Sequence, residues 1–264
     1  DKTMTKKIWR DAGLSTAGWQ EFLTPQDELD PHLQFPLFVK PAREGTGMGM
    51  DAHSIVNTLE EMYARVKWII RTYQQPALVE EYLPGREFTV AVLGRENARS
   101  NSRHPEWYEE DGFVRLPVEE VDSSISATPG VYGNFAKTLN FGEEGIPAFL
   151  CPAPIPQELA RQLQDLAIKA HKAIGALDVS RVDMRMDALG NPRLIEINTL
   201  PGLTPDFSDI CVICNAAGIS YDDLILEILY LGASRFCLLA NRPAVIPVHV
   251  PEAVPVPRST SRFE

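Results

Sequence analysis

Along this chain the spacing of apolar residues switches between a period near two and a period near 3.6, so strands and helices are expected to alternate. Residues 5–12 read as a short helix stopped by Gly13, and residues 37–40 as a strand that ends at Pro41. From 54 to 70 the positions Ile55, Leu59, Met62, Val66 and Ile69 recur at helical spacing. Strands 77–82 and 87–93 flank the turn Leu83-Pro84-Gly85-Arg86. Residues 94–152 hold no sustained period, and a stretch that long without regular structure is expected to cover a site or to move. Pro156 opens a helix whose apolar face is Leu159, Leu163, Leu166, Ala170 and Ile174, with Gly175 as its stop. Strands 180–186 and 193–197 follow, around a turn at 188–192, and Ser220 with Asp223 three residues on starts a helix at 224–231. After Ala240, recurrent proline among valine, serine and arginine predicts an extended or disordered tail, 241–264. The pattern is that of an α+β (α/β) protein.

Composition narrows the function classes. With 264 residues, one large domain or two smaller ones are expected. Lys and Arg total 25 against 36 Asp and Glu, a net charge of −11, so the chain lacks the positive field that non-specific nucleic-acid binding needs. No apolar run approaches the length of a membrane span; the most apolar helix, 224–231, is short and carries Glu227. Four cysteines do not make a disulfide framework. Cys211 and Cys214 form a C-x-x-C, but Cys151 and Cys237 lie too far apart in sequence to complete a zinc site, so reduced thiols and a cytoplasmic location are expected. The chain opens Asp1-Lys2-Thr3, with neither an initiator Met nor a signal-peptide pattern, which reads as a cut at a domain boundary.

Four segments carry candidate chemistry. In strand 180–186, Arg181, Asp183 and Arg185 share a face, and on the return strand Glu196 and Asn198 share one. If Asp187 pairs with Pro192, Asp183 stands opposite Glu196, a repulsion that a divalent cation with hard oxygen ligands would relieve, Asn198 giving a third oxygen. A solvated face neutralised by the two arginines is the plain alternative. Ile195 and Ile197 are expected on the opposite face. In Lys40-Pro41-Ala42-Arg43-Glu44-Gly45-Thr46-Gly47-Met48-Gly49, the glycines let backbone N–H groups approach an anion, with Lys40 as a point charge; otherwise the segment is a flexible turn. Glu80, Glu81, Tyr82 and Leu83, with Glu87 after the turn, could read an adenine edge and ribose hydroxyls, or form a solvated acidic edge. Lastly, Gly202 in the loop Asn198-Thr199-Leu200-Pro201-Gly202-Leu203-Thr204-Pro205 can present its N–H to an oxyanion.

In this order, the stretches VKPAREGTGMGM, LVEEYLPGREFTVAVLG, SRVDMRMDALGNPRLIEINTLPGLTP and AAGISYDDLILEIL resemble the D-alanine–D-alanine ligase family of the ATP-grasp superfamily, from residue 1 to about 235. The resemblance implies an ATP-grasp fold in which two α+β subdomains sandwich ATP, here 1–93 (glycine loop, adenine site) and 94–240 (mobile loop, metal hairpin, substrate loop). It implies that Lys2 and Lys40 contact phosphates under the loop of Glu44, Gly45, Thr46, Gly47 and Gly49. Glu80, Glu81, Tyr82 and Leu83 would frame the adenine and Glu87 the ribose, while Lys137, in a stretch that resembles the family's mobile loop, would reach the phosphates. Asp183, Glu196 and Asn198 would hold two Mg²⁺ ions, with Mn²⁺ as a substitute, and Arg181 with the Gly202 N–H would stabilise the acyl-transfer intermediate. The implied function is ATP-dependent ligation of two amino acids to D-alanyl-D-alanine for peptidoglycan precursors, with small-molecule substrates, no nucleic-acid or membrane partner, and a homodimer as one assembly state.

The sequence departs from the family in three places. The family's N-terminal domain, with the glutamate that binds the first substrate's amine, has no counterpart here. In the lid contact, Thr46-Gly47 stands where the family has a loop serine and Thr138 follows Lys137 where it has a mobile-loop tyrosine; Phe207-Ser208 replaces the family's Ser-Leu pair. The alternatives are a ligase for other amino or hydroxy acids and an ATP-binding module without catalysis.

Overall fold

The computed structural model describes residues 1–45, 47–125 and 147–239. The tail at 241–264 lies outside them. Two antiparallel sheets organise the rest. The first has four strands in the order β1-β4-β2-β3: β1 Trp19–Phe22, β2 Leu37–Pro41, β3 Ile55–Val56 and β4 Ala77–Glu81. The second has five in the order β7-β6-β5-β8-β9: β5 Glu87–Leu93, β6 Val118–Asp122, β7 Ala148–Leu150, β8 Val179–Met186 and β9 Pro192–Asn198.

Alternation decides what each sheet face meets. In β2 and β4, Leu37, Val39, Ala77 and Val79 pack beneath helix α2 (Leu59–Tyr73) with Met62, Val66 and Ile69. Phe38, Lys40 and Glu80 line the cleft between the sheets. β5 is covered on both faces. Phe88, Val90 and Val92 meet Leu163 and Ala167 of α3 (Gln157–Ala173), while Ala91 and Leu93 meet Ile210 and Ile213 of α4 (Asp209–Ala216) and Leu224 and Leu231 of α5 (Tyr221–Arg235). Helix α1 (Lys2–Asp11) is capped by the Asp1 carboxylate, which accepts from the Met4 N–H, and its Trp9 donates to the Ala170 carbonyl at 3.2 Å. The N-terminal helix therefore packs with the second sheet, although β1 follows it into the first. The chain crosses between sheets at residues 83–86. β5, inside the 1–93 span expected to form the first subdomain, pairs with β6 and β8 of the second sheet.

Several elements differ from the sequence reading. The helix expected from residue 54 starts at Leu59, where the Thr58 hydroxyl accepts from Glu61 N–H; before it lie a short 3-10 turn, Ala52–Ser54, and β3. The helix expected at 224–231 runs from Tyr221 to Arg235. β1 and α4 had no expectation, and within 94–152 the region thought irregular holds β6 and β7. β6 hides because Val-Glu-Glu-Val reads as polar, yet Glu119 and Glu120 are both buried. Arg86 neutralises Glu120 through two hydrogen bonds of 2.6 and 2.7 Å. Glu119 has no such partner among the described residues, where its Oε2 is buried without a hydrogen bond. No helix among the described residues is long and apolar enough to cross a membrane.

Burial, reinforced by the Asp209 charge, pushes the Glu119 carboxyl up to about 8. The folded protein then holds a proton that the unfolded chain releases near its ordinary 4.5, so stability falls as pH rises from about 4.5 to about 8. Glu119→Gln keeps the shape without the titration. Melting followed at pH 5 and pH 8 should show the variant gaining roughly 5–10 °C over wild type at pH 8 and little at pH 5. An equal difference at both pH values would show that Glu119 is not held protonated.

Candidate functional site

The site lies in the cleft between the two sheets, and its centre is the β8–β9 hairpin. Asp183 stands opposite Glu196, and Arg181 opposite Asn198. The expected facing of the two acids is present, but by a different route. The hairpin closes with Met186 opposite Pro192, one residue off the assumed Asp187–Pro192 pair, and a bulge between Asp183 and Met184 absorbs Ile195 and restores the register. The bulge also changes one facing. Ile197 packs against the core as expected, but Ile195 lines the cleft.

Arg181 compensates the first acid. Its Nε and Nη2 donate to the two oxygens of Asp183 at 3.0 and 2.9 Å, and its Nη1 donates to Asp209 at the start of α4 at 2.6 Å. Burial works against the guanidinium's charge, but Asp183 and Asp209 outweigh it and hold it cationic well beyond the ordinary range. Thr89 of β5 donates to Asp183 at 3.1 Å, and Asn198 Nδ2 lies 3.5 Å from it. Lys2 compensates the second acid. Its ammonium is 3.1 Å from Glu196 and also donates to the Glu44 carbonyl, so it joins α1, the entrance of the glycine segment and β9.

The glycine segment leaves β2 at Pro41. Glu44 accepts from Gln75 Nε2 at 2.6 Å, and Gly45 lines the cleft beside Glu196 and Asn198. Gly49 has a φ of +73°, and a Cβ there would meet Pro41 Cγ at 2.6 Å, so the turn needs glycine at that point. Gly47 too has a positive φ, of 70°. Thr46 and Lys137 lie outside the described residues.

On the other side of the cleft, Lys40 ion-pairs with Glu80. Burial opposes Glu80's charge, but Lys40 and Lys6 outweigh it and hold the carboxyl down at about 2. Glu81 points its carboxylate at the Gly18 N–H, 2.9 Å away. Tyr82 lies under the Arg185 guanidinium, 5.3 Å from its ring centre; Leu83 is buried in the cleft wall; Glu87 is 3.6 Å from Arg185. Gly202 sits apart in the exposed loop after β9. A Cβ there would meet Ser208 Oγ at 2.8 Å, the oxygen that accepts from Thr204 N–H, and the next residue is the Asp209 that holds Arg181.

The donor set of two carboxylates and an amide oxygen suits a hard divalent cation. Among the described residues no group of three or more His, Cys, Asp and Glu is arranged to hold a metal ion; a cation between Asp183 and Glu196 would take Asn198 as its third oxygen. Cys211 and Cys214 are free, buried thiols of α4, and burial raises both.

Sequence reading missed Lys6, Thr89, Glu119 and Asp209. Lys6 had a signal, since it follows Lys2 by four residues on one helix and so shares its face. Asp209 had none, because it is brought in by a helix that shows no clear period.

Comparison with known proteins places this geometry. The chain matches the family described as D-ala D-ala ligase C-terminus over residues 8–230. It is 33% identical over 238 residues to the D-alanine–D-alanine ligase of Bordetella petrii, which covers 89% of this chain and 64% of that protein. The D-alanine–D-alanine ligase from Bacillus anthracis complexed with ATP is similar at a TM-score of 0.64 with 23% identity, over 89% of this chain and 66% of that one. The VanG D-Ala:D-Ser ligase from Enterococcus faecalis gives a TM-score of 0.65 with 24% identity, over 88% and 61%. The chain spans less than two thirds of the length of each of these three. The two α+β halves facing one cleft are the ATP-grasp fold of these ligases. By the extent of the family match, the chain belongs to the D-ala D-ala ligase C-terminal family.

Proposed function

We propose that this chain is the nucleotide-grasping part of an ATP-dependent carboxylate–amine ligase that joins two D-alanines for peptidoglycan precursors, in the cytoplasm. The observation that carries the reading is the run of contacts from Arg181 through the facing Asp183–Glu196 pair to Lys2 and the entrance of the glycine segment. A module that only held nucleotide would have little need for Arg181, whose reach is toward the substrate loop by way of Asp209.

A carboxylate does not acylate an amine unaided. One oxygen of the first amino acid's carboxylate attacks the γ-phosphorus of ATP, the bond to the bridging oxygen breaks, and ADP leaves. The second amino acid's ammonium gives one proton to solvent and attacks the acyl carbon as the amine. Its nitrogen gives up a second proton to the departing phosphate or solvent as the tetrahedral oxyanion collapses to the amide and inorganic phosphate leaves. The chain's part is positioning and charge. Lys2 and Lys40 draw the phosphates into line beneath the glycine segment, and Arg181 with the Gly202 N–H holds the oxyanion. Asp183, Glu196 and Asn198 would hold two Mg²⁺ ions, which when bound neutralise phosphate charge. Glu81, Tyr82 and Leu83 frame the base and Glu87 the ribose. The first substrate's amine is bound by an N-terminal domain, and two such chains form a homodimer.

Phosphate release by the full-length protein, measured with D- and L-amino acids in turn, should be stimulated by D-alanine. Stimulation by L-amino acids alone would overturn the reading, and ATP binding without turnover would favour a binding module. Asp183→Asn should lower Mg²⁺-dependent turnover at least ~100-fold with an unchanged circular dichroism spectrum. Turnover at the wild-type level would remove Asp183 from the metal set.

A further inference from the structure

Lys6 is fully buried, an uncommon place for an ammonium group. It is fixed from two sides. Its Nζ lies 2.9 Å from Glu80 of β4 and donates to Thr16 Oγ1 at 2.7 Å. Thr16 in turn donates to the Leu194 carbonyl of β9 at 2.8 Å. A polar chain thus runs from the first sheet through α1 to the second, along the floor of the cleft. Lys40 holds the other oxygen of Glu80, so two lysines share one carboxylate.

That sharing matters if Lys40 moves. A buried carboxylate that loses its sole counter-ion is strongly destabilised. With Lys6 in place, Glu80 never loses its last one. Lys6 is also the less free of the two lysines, because Thr16 anchors it as well. The asymmetry therefore assigns one lysine to stay and one to leave. We propose that Lys6 is a positioning residue of the nucleotide cleft, the counter-ion that remains on Glu80 while Lys40 turns to the phosphates of an incoming nucleotide. The inference rests on the reading of Lys40 as a phosphate ligand.

The same geometry sets a proton signature. In Lys6→Met, Glu80 keeps Lys40 before binding and loses it on binding, so the carboxylate must take up a proton. The other charged or titratable groups around it are Glu81, held by Gly18 N–H, and Glu87, Arg185 and Tyr82 across the cleft. These are unchanged in the variant. Binding coupled to one proton strengthens up to about tenfold for each unit fall in pH.

The test is calorimetric titration of the full-length protein with Mg²⁺ and a non-hydrolysable ATP analogue, between pH 7 and 8.5, in two buffers of different ionisation enthalpy. Wild type should bind, and Lys40→Met should bind more weakly; failure of either overturns the Lys40 reading itself. With those in hand, Lys6→Met should bind at least ~10-fold more weakly at pH 8.5, take up close to one more proton than wild type, and recover toward pH 7. Lys6→Arg should behave as wild type. Adding Glu80→Gln to Lys6→Met should abolish the extra proton uptake. Where Lys6→Met does not fold, Lys6→Gln, which keeps a donor for Thr16, takes its place. A lower melting temperature with wild-type proton uptake and pH slope would mean that Lys6 only holds the fold, and would overturn the proposal.

Discussion

Two carboxylates set opposite one another on neighbouring strands repel unless something positive stands by. Most of the cleft follows from how Asp183 and Glu196 are compensated. Arg181 shares a face with Asp183 because it lies two residues away on the same strand, and its remaining arm reaches Asp209, so neutralising one acid also ties α4 to the sheet. Lys2 neutralises the other acid from α1 and, by donating to the Glu44 carbonyl, draws the glycine segment against β9. One local repulsion thus recruits a helix from each side and the loop between the sheets.

The parts legible in the sequence were those in which period and chemistry coincide. β5 shows its covered faces as near-continuous apolar residues, and α3 shows its stripe. Period two puts Arg181 and Asp183 on one face of β8 and Glu196 and Asn198 on one face of β9, and the hairpin sets them opposite one another. The hairpin is instructive because the facing of the acids was inferred from a turn register that is off by one. A bulge at Ile195 cancelled the error, and no residue pattern announces a bulge that needs neither glycine nor proline. Its trace is the placement of Ile195, which faces the cleft against strict alternation.

What escaped the sequence was polar and buried. β6 reads as a charged segment because its two glutamates have been taken out of water, one beside Arg86 and one with no hydrogen bond to its Oε2 among the described residues. Lys6 reads as an ordinary helix-surface lysine until β4 supplies Glu80 and the loop before β1 supplies Thr16. In both cases the partner is distant in the chain, and residue type by itself assigns such groups to the surface. Lys40 and Glu80 were each singled out, but as separate ligands for phosphate and base. That they hold one another follows only from the antiparallel pairing of β2 with β4.

On the proposed reading, the ion pairs also explain how an acidic protein holds an anion. The net charge is −11, and the cleft cations Lys2, Lys6, Lys40 and Arg181 are each engaged with a carboxylate. A bare anion that entered would have to pull a cation from its partner and leave a carboxylate uncompensated in a partly buried place, a poor exchange. On the proposed reading, a triphosphate that arrives with divalent cations meets no such obstacle. Its oxygens take the Lys2 and Lys40 ammonium groups as Glu196 takes a cation and Glu80 keeps Lys6, while Arg181 keeps Asp209, so pairs are exchanged and none of these acids is left bare. Lys6 then completes the scheme at Glu80, to which the proposed reading gives no metal. The selectivity of the cleft would lie in this matching of two simultaneous exchanges more than in any excess of positive charge.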